Sequence, residues 1–279
     1  MRGDAQVDCY YINLETAVER RQQIEANFSV HGAPGWTLTR FAATDAALVA
    51  DSQVPGTLTS AEKACFLSHR ALLRSLQDAV GPVMILEDDA IIGRHACALI
   101  DTLIANPRTP PWDLLFTNLS GLSVNTMLEL ARYRATLAAK GEISLLDLKT
   151  LKFHGATAYV VNPRSIPQVG DLLAAEETLD TPFDVLICRL IHASKLRGLG
   201  LFPFVTSLSD LNLDSQIRRV EGRSADRVWH AFSRMIWVDR DPGEHAALRE
   251  AIMPFWRDEK GEQIEALFAA IESGGGEYP

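Results

Sequence analysis

The sequence predicts an α/β fold with a sheet of buried strands, flanking helices and a C-terminal helical extension. The strongest indication is residues 82–86, a short apolar run opened by Gly81 and Pro82, which is typical of a buried strand. A second indication is the alternation of such runs with amphipathic helical patterns along residues 9–205. A third is the change of pattern at Ser224, after which helical periodicity dominates.

Three consecutive carboxylates, Glu87, Asp88 and Asp89, follow the apolar run directly. In open α/β sheets, ligands bind in the crevice beyond the carboxyl ends of the strands. Strand alternation would send Glu87 and Asp89 to one side and Asp88 to the other. Two like charges on one side repel unless a cation lies between them, and Mg²⁺ or Mn²⁺ prefers such oxygen ligands. The pattern therefore predicts a metal site, with a solvated acidic turn as the alternative.

Length and composition indicate an ordinary globular protein of one or two domains. The 279 residues are 47% hydrophobic and 23% charged, which supplies enough apolar surface for a large core. We expect a catalytic domain over residues 1–222 and the helical extension over residues 223–279. The net charge of −9 argues against a general nucleic-acid binder but allows a local basic pocket.

The cysteines and the apolar segments bear on the cellular compartment. The four cysteines are isolated and form no Cys-x-x-Cys pair, as expected for small buried residues in a reducing compartment. The N-terminal residues show no signal-peptide pattern, and no apolar stretch reaches the roughly 18 residues that a membrane span needs. We expect a cytoplasmic protein, and peripheral association with the inner face of the membrane and the oligomeric state are left open.

The first strand and helix offer candidate ligands for a phosphate group. Residues 9–14 predict a strand ending at Asn13 and Leu14, and the following helix carries Arg20 and Arg21 in its first two turns. From there the arginines can reach a diphosphate in the crevice. The alternative is two solvated arginines on the helix surface.

A second helix opens with a capping box formed by Thr59 and Glu62. His69 lies on its apolar stripe, one turn after Cys65, and a hydrogen-bonded core histidine is favoured there over a ligand role. The segment before this helix, residues 46–56, carries little pattern and is predicted to be a loop.

Asp184 lies near the start of a later predicted helix. Thr181 is the candidate N-cap and Pro182 fits the first helical position, so Asp184 is a first-turn carboxylate that interacts favourably with the helix dipole. The polar run after the last predicted strand adds Asp210 and Asp214.

The order of these segments resembles glycosyltransferase family 25, which includes bacterial lipooligosaccharide galactosyltransferases and relatives that glycosylate collagen. Four segments carry the resemblance: Tyr11-Ile12-Asn13-Leu14 with Arg20-Arg21, Phe41-Ala42-Ala43-Thr44-Asp45, residues 58–69 ending in Ser68-His69, and Ile85-Leu86-Glu87-Asp88-Asp89. Weaker matches extend the resemblance to about residues 8–217, at Gly155-Ala156-Thr157-Ala158-Tyr159, Phe183-Asp184 and Ser215-Gln216-Ile217. Ala46 and Ala64 are departures, because the family usually has glycine at these positions.

The resemblance implies a GT-A-like, Rossmann-type nucleotide-binding sheet and a UDP-sugar donor of galactose or glucose. It implies transfer with inversion to a saccharide acceptor of a surface glycan, such as lipopolysaccharide, lipooligosaccharide or capsule. A Mn²⁺ or Mg²⁺ ion would bridge the donor diphosphate, held by Glu87, Asp89 and Asp214, with Asp88 and Asp210 as further candidates. Asp184 is the implied general base. The implied donor-binding residues are Asn13, Leu14, Arg20, Arg21, Ser68, His69 and Asp88.

Three other classes of protein are alternatives to this one. A phosphorylated receiver domain would place Asn118 at the phosphoacceptor position, and only 30 positions separate it from Asp88, too few for the elements that must intervene. A metal-dependent phosphohydrolase would need a nucleophile or a second acidic cluster that the sequence lacks. The alternative that stays open is a catalytically impaired nucleotide-sugar-binding or scaffolding protein of the same fold, because Ala46 and Ala64 fall at backbone-sensitive places.

Overall fold

The computed structural model describes residues 7–209 and 223–252, together with Leu267, Ala269 and Ile271. These residues form the predicted α/β fold, with a mixed sheet and helices on both of its faces. The strands are β1 (Asp8–Asn13), β2 (Thr37–Ala42), β3 (Val83–Glu87), β4 (Ala90–Ile92), β5 (Leu114–Phe116), β6 (Ser144–Asp147), β7 (Ala158–Val161), β8 (Gly198–Phe202) and β9 (Thr206–Leu208). The helices are α1 (Val18–His31), α2 (Ala46–Asp51), α3 (Ser60–Ser75), α4 (Ala96–Ala105), α5 (Val124–Ala138), α6 (Ile166–Ala174), α7 (Phe183–His192), α8 (Arg223–Ile236) and α9 (His245–Ile252).

The central sheet has seven strands in the order β2-β1-β3-β7-β5-β8-β6, and β4 pairs with β9 in a separate small sheet. β1 is parallel to β2 and β3, and β5 is parallel to β8. β7 runs antiparallel to both of its neighbours, as does β6 to β8. The topology is therefore that of a mixed, Rossmann-like sheet.

The reversed direction of β7 determines what borders the crevice. Leu86 pairs with Ala158, and the Glu87 amide donates to the Thr157 carbonyl at 2.8 Å. The residues that enter β7, starting at Gly155, therefore lie beside the carboxyl end of β3. The crevice is bounded by the ends of β1 and β3 and by the entry to β7.

Alternation along β3 divides the core into two layers. Val83 and Ile85 pack in a cluster with α3, α5, α6 and α7, whereas Met84 and Leu86 pack in a second cluster with α1 and α4. All four side chains are buried, as expected for a strand that is covered on both faces.

The prediction of a loop at residues 46–56 is wrong, because residues Ala46–Asp51 form α2. The Asp45 side chain caps this helix by accepting from the Ala47 amide at 2.7 Å. A six-residue helix is too short to show a periodic pattern and depends on its cap. The short strands β4, β6 and β9 and the helix α6 were likewise not predicted.

The two predicted helix caps have different outcomes. The Thr59–Glu62 capping box is present at the start of α3. Thr181 is not the N-cap of α7, because Pro182 takes that position and the Thr181 hydroxyl accepts from Arg189 instead. Asp184 still falls in the first turn, as predicted.

The predicted C-terminal helices begin with α8, which packs on the sheet domain. Trp229, Phe232 and Met235 belong to the same hydrophobic cluster as α5 and α7, and Asn118 donates to the Ser233 hydroxyl at 2.9 Å. The boundary between residues 222 and 223 stays a prediction. Within the described residues, no helix has the length and apolar character of a membrane span.

Candidate active site

The acidic segment lies at the carboxyl end of β3, at the edge of the crevice. β3 ends at Glu87, and Asp88 and Asp89 form the turn into β4. Alternation stops there, so the strand does not fix the side on which Asp89 lies, and the grouping of Glu87 with Asp89 stays a prediction. Arg20 lies 3.0 Å from Asp88 and 3.9 Å from Asp89, whereas Glu87 lies 3.6 Å from His69.

The first group of residues is a hydrogen-bonded chain across β2, β1 and the acidic turn. Asp88 accepts from Asn13 Nδ2 at 2.7 Å and from Arg20 at 3.0 Å. Arg40, on β2, donates from Nε to Asn13 Oδ1 at 3.0 Å and from its terminal nitrogen to the Asn13 carbonyl at 3.1 Å. Arg40 therefore turns the Asn13 amide so that its NH₂ group faces Asp88.

Sequence reasoning missed Arg40, although a charged residue inside a predicted strand was an available signal.

Arg20 and Arg21, both predicted to reach a diphosphate, have different neighbours in the structure. Burial acts to lower the pKa of Arg20, but the charges of Asp89 and Asp88 outweigh it and raise that pKa. Arg21 instead lies near the Tyr11 hydroxyl, whose pKa is raised by burial and by the hydrogen bond and charge of Glu25, against the smaller opposing effect of the charges of Arg40 and Arg21.

A second group surrounds His69 on α3. Its Nδ1 is 2.9 Å from the Tyr159 hydroxyl, and its ring stacks on Phe183 with 4.0 Å between ring centroids. Burial lowers the pKa of His69 to about 3, so the imidazole is neutral at physiological pH. The predicted core histidine is therefore confirmed, but Glu87 at 3.6 Å gives it a polar neighbour at the crevice.

Cys65 lies one helical turn before His69 and belongs to the same group. Its sulfur, the His69 ring nitrogen and a Glu87 oxygen lie within 4.8 Å of one another. Burial raises the pKa of the Cys65 thiol well above its usual value, and the charges of Glu87, Asp184 and Asp89 add to the effect. These carboxylates therefore all contribute negative charge at Cys65. The signal in the sequence was the Cys-x₃-His spacing, which was interpreted as an apolar stripe.

Asp184 lies at the second position of α7 and faces the entry to β7. Its Oδ2 accepts from the Gly155 amide at 2.8 Å, and its Oδ1 accepts from the Val185 amide at 2.9 Å. Gly155 has φ +84°, and a Cβ there would lie 2.1 Å from the Ser120 hydroxyl. Glycine is therefore required at the position that presents its amide to Asp184.

The remaining predicted residues lie elsewhere or outside the described part. Ser68 accepts from the Thr44 amide at 2.8 Å and donates to the Ala64 carbonyl at 2.7 Å, so it fixes the segment before α2. The Leu14 carbonyl accepts from Ala17 in the turn after β1. Asp210 and Asp214 lie outside the described residues.

Comparison with known proteins identifies the family of the chain. Residues 6–187 match the model of glycosyltransferase family 25 (LPS biosynthesis protein), a range that contains the acidic turn and Asp184. A relative in Neisseria meningitidis serogroup B, the lacto-N-neotetraose biosynthesis glycosyltransferase LgtE, is 34% identical over 100 residues. That match covers 31% of this chain and 34% of the relative, about a third of its length. Because the family model matches well over half of the sequence, the chain belongs to glycosyltransferase family 25.

Proposed function

We propose that the chain is a metal-dependent inverting glycosyltransferase that moves galactose or glucose from a UDP-sugar to a saccharide acceptor. The observation that carries the proposal is the division of the crevice into two charged groups. Asp88 and Asp89 lie beside Arg20, whereas Asp184 and Glu87 lie on the side of His69. One group suits a diphosphate with its cation, and the other offers a carboxylate for proton removal.

The donor diphosphate fits next to Arg20. This guanidinium is half-buried at the start of α1, and the acidic turn holds it in place. A buried guanidinium whose position is fixed binds phosphate oxygens without a large loss of side-chain entropy. Asn13 donates to Asp88, and Arg40 fixes the Asn13 amide. Both residues therefore stabilise the donor site indirectly.

The carboxylates at the crevice fit a hard divalent cation, because all of them offer oxygen ligands. Asp88 is committed to Asn13 and Arg20, and Glu87 lies on the side of His69, so Asp89 is the better candidate. Asp214 would complete the set from outside the described residues. Mn²⁺ or Mg²⁺ at these ligands neutralises the charge that develops on the leaving nucleoside diphosphate.

Asp184 is the proposed general base. Inversion by direct displacement requires one group to take the proton of the attacking acceptor hydroxyl. The amides of Gly155 and Val185 fix the orientation of the carboxylate, and each of its oxygens retains a lone pair for a hydroxyl donor. Its position in the first turn of α7 is compatible with this role.

The proposed acceptor is a saccharide of lipopolysaccharide, lipooligosaccharide or capsule. The family is described by its role in lipopolysaccharide biosynthesis, and the meningococcal relative is named for lacto-N-neotetraose biosynthesis. Work on such an acceptor at the cytoplasmic face of the inner membrane would require peripheral association, which is part of the proposal.

The two alanines that favoured a catalytically impaired binding protein do not support it in the structure. Ala46 and Ala64, which depart from the family pattern, both lie in helices, at the start of α2 and inside α3. Alanine is the residue most favourable to helix, so neither departure disturbs the backbone.

A transfer assay tests the proposal directly. The purified chain is incubated with UDP-galactose or UDP-glucose, Mn²⁺ and a panel of lipooligosaccharide-derived acceptors, and the product is analysed by NMR. We expect UDP release that chelator abolishes, and a product of opposite anomeric configuration to the donor. Retained configuration would contradict inversion, and donor binding without transfer to any acceptor would support the binding protein.

A further inference from the structure

We propose that Cys65, His69 and Glu87 form a binding site for one divalent ion of the zinc class. The ligand atoms of these residues lie within 4.8 Å of one another. Sulfur and imidazole favour Zn²⁺ or Co²⁺, whereas Mg²⁺ and Mn²⁺ prefer oxygen. The proposal goes beyond the transfer reaction, and no step of that reaction depends on it.

The distances suit tetrahedral coordination. With metal–ligand bonds of about 2.0–2.3 Å, ligand atoms around zinc lie roughly 3.3–3.8 Å apart. The 3.6 Å between His69 Nε2 and Glu87 Oε1 already falls in this range. Cys65 and His69 are four residues apart on α3 and share one face of the helix. Cys65 therefore needs a shift of at most about 1 Å to complete the set.

The surroundings of His69 hold the ring in the orientation that a metal ligand needs. Nδ1 is 2.9 Å from the Tyr159 hydroxyl, and the ring stacks on Phe183. An ion at Nε2 selects the tautomer with its proton on Nδ1, which then donates to the Tyr159 oxygen. Such a partner behind the ligating histidine is a regular feature of zinc sites.

Charge and access also favour an ion. The carboxylates of Asp184 and Asp89 add negative potential at Cys65. The side chain of Glu87 is 33% exposed, so an ion can enter from the crevice and keep an open coordination position for water. Binding converts the Cys65 thiol to a thiolate and releases its proton to solvent.

A second cysteine–histidine pair in the chain serves as a comparison for Cys65 and His69. Cys188 and His192 have the same spacing on α7, with 3.5 Å between the sulfur and Nε2. His192 Nε2 also lies 2.9 Å from the Leu151 carbonyl. Among the described residues, the group of Cys65, His69 and Glu87 meets the geometric requirement for three ligands, and the pair on α7 does not.

Cobalt titration of the full chain, without nucleotide sugar, tests the site. Co²⁺ replaces Zn²⁺ in such sites and gives a thiolate charge-transfer absorption in the near ultraviolet when sulfur is a ligand. We expect a band that saturates at one ion per chain and that Zn²⁺ removes. Cys65→Ser should abolish the band, and Cys188→Ser should leave it unchanged.

A second variant covers the case in which Cys65→Ser does not fold. Glu87→Gln keeps the shape of the side chain but removes its charge, and should weaken Co²⁺ binding by at least about tenfold. Absence of a saturable thiolate band in the wild type, or a band that survives in Cys65→Ser, would overturn the proposal. Because no sugar donor is present, this result is independent of the transfer assay.

Discussion

Asp88 and Asp184 are both carboxylates of the crevice, but their neighbours suit them to different tasks. Asp88 is bound by the amide of Asn13 and the guanidinium of Arg20. Asp184 is bound by two backbone amides, from Gly155 and Val185. An aspartate held by a cation contributes to the architecture of the donor site. One that is oriented by amides beside the neutral His69 is better placed to accept a proton.

Asp184→Asn tests this assignment. The substitution keeps the size of the side chain but removes the proton acceptor, so the transfer rate should fall by roughly 10²–10⁴-fold while donor affinity is retained. Both are measured on purified protein, with Asp171→Asn on the exposed surface of α6 as the control. Transfer near the wild-type rate would mean that Asp184 only caps α7.

The site residues predicted from the sequence were those with a visible chemical pattern. Three acids after an apolar strand cannot be explained by packing, so Glu87, Asp88 and Asp89 could be found. Cys65 and Tyr159 were not predicted, because an apolar stripe and a strand residue have the same pattern whether or not they border a polar group. Their role depends on β7 lying next to β3, a contact that no local pattern encodes.

At the scale of elements, Asp113 links three segments at the start of β5. It is 3% exposed and accepts from the Arg197 side chain and amide and from the Ser165 hydroxyl. Burial acts to raise its pKa, but the hydrogen bonds from Arg197 and Ser165 lower it below the usual value. These contacts hold β5 and β8 in register.

Asp113→Asn should therefore destabilise the fold in a pH-dependent way. Because the pKa of Asp113 is lowered in the folded state, its contribution to the free energy of unfolding is full above the ordinary carboxyl pKa of about 4. That contribution is lost as pH falls through the pKa of the folded state. We expect the free energy of unfolding to fall by about 1–3 kcal/mol at neutral pH, measured by urea unfolding. This difference from the wild type should become smaller on acidification. A loss that is constant with pH, or no larger than that of exposed Asp171→Asn, would contradict this account.

Arg134 attaches α8 to α5. It is buried and donates to the carbonyls of Ile236 and Trp237, at 2.9 and 3.3 Å, which end α8. A cation at a helix C-terminus also interacts favourably with the helix dipole. This contact helps to hold the end of α8 against α5.

Arg134→Met keeps much of the apolar volume but leaves two buried carbonyls without this donor. We expect a loss of about 2–4 kcal/mol in the free energy of unfolding. Arg132→Met, on the exposed face of the same helix, is the control and should change stability little. Equal effects of the two substitutions would show that α8 is not anchored through Arg134.

At the scale of the whole molecule, the sequence predicted the α/β class but not the strand order. The runs that became β1, β3, β5 and β8 are long or apolar enough to recognise. The antiparallel direction of β7 is set by how its flanking connections cross the sheet, which depends on contacts distant in sequence. The six-residue helix α2 was missed because it depends on a single cap at Asp45.

The central claim is that the crevice at the ends of β1 and β3 binds a nucleotide sugar through a divalent ion. The most direct measurement is the melting temperature with UDP-galactose or UDP-glucose, in Mn²⁺, in Mg²⁺ and in chelator, because a ligand of the folded state stabilises it. Asp89→Ala is compared with exposed Asp78→Ala. Arg20 keeps its 3.0 Å contact with Asp88 in the Asp89 variant, so the fold should persist.

We expect one UDP-sugar to raise the melting temperature of the wild type and of Asp78→Ala, and chelator or Asp89→Ala to remove the effect. Stabilisation that is equal in Asp89→Ala and unaffected by chelator would contradict the metal-bridged donor site.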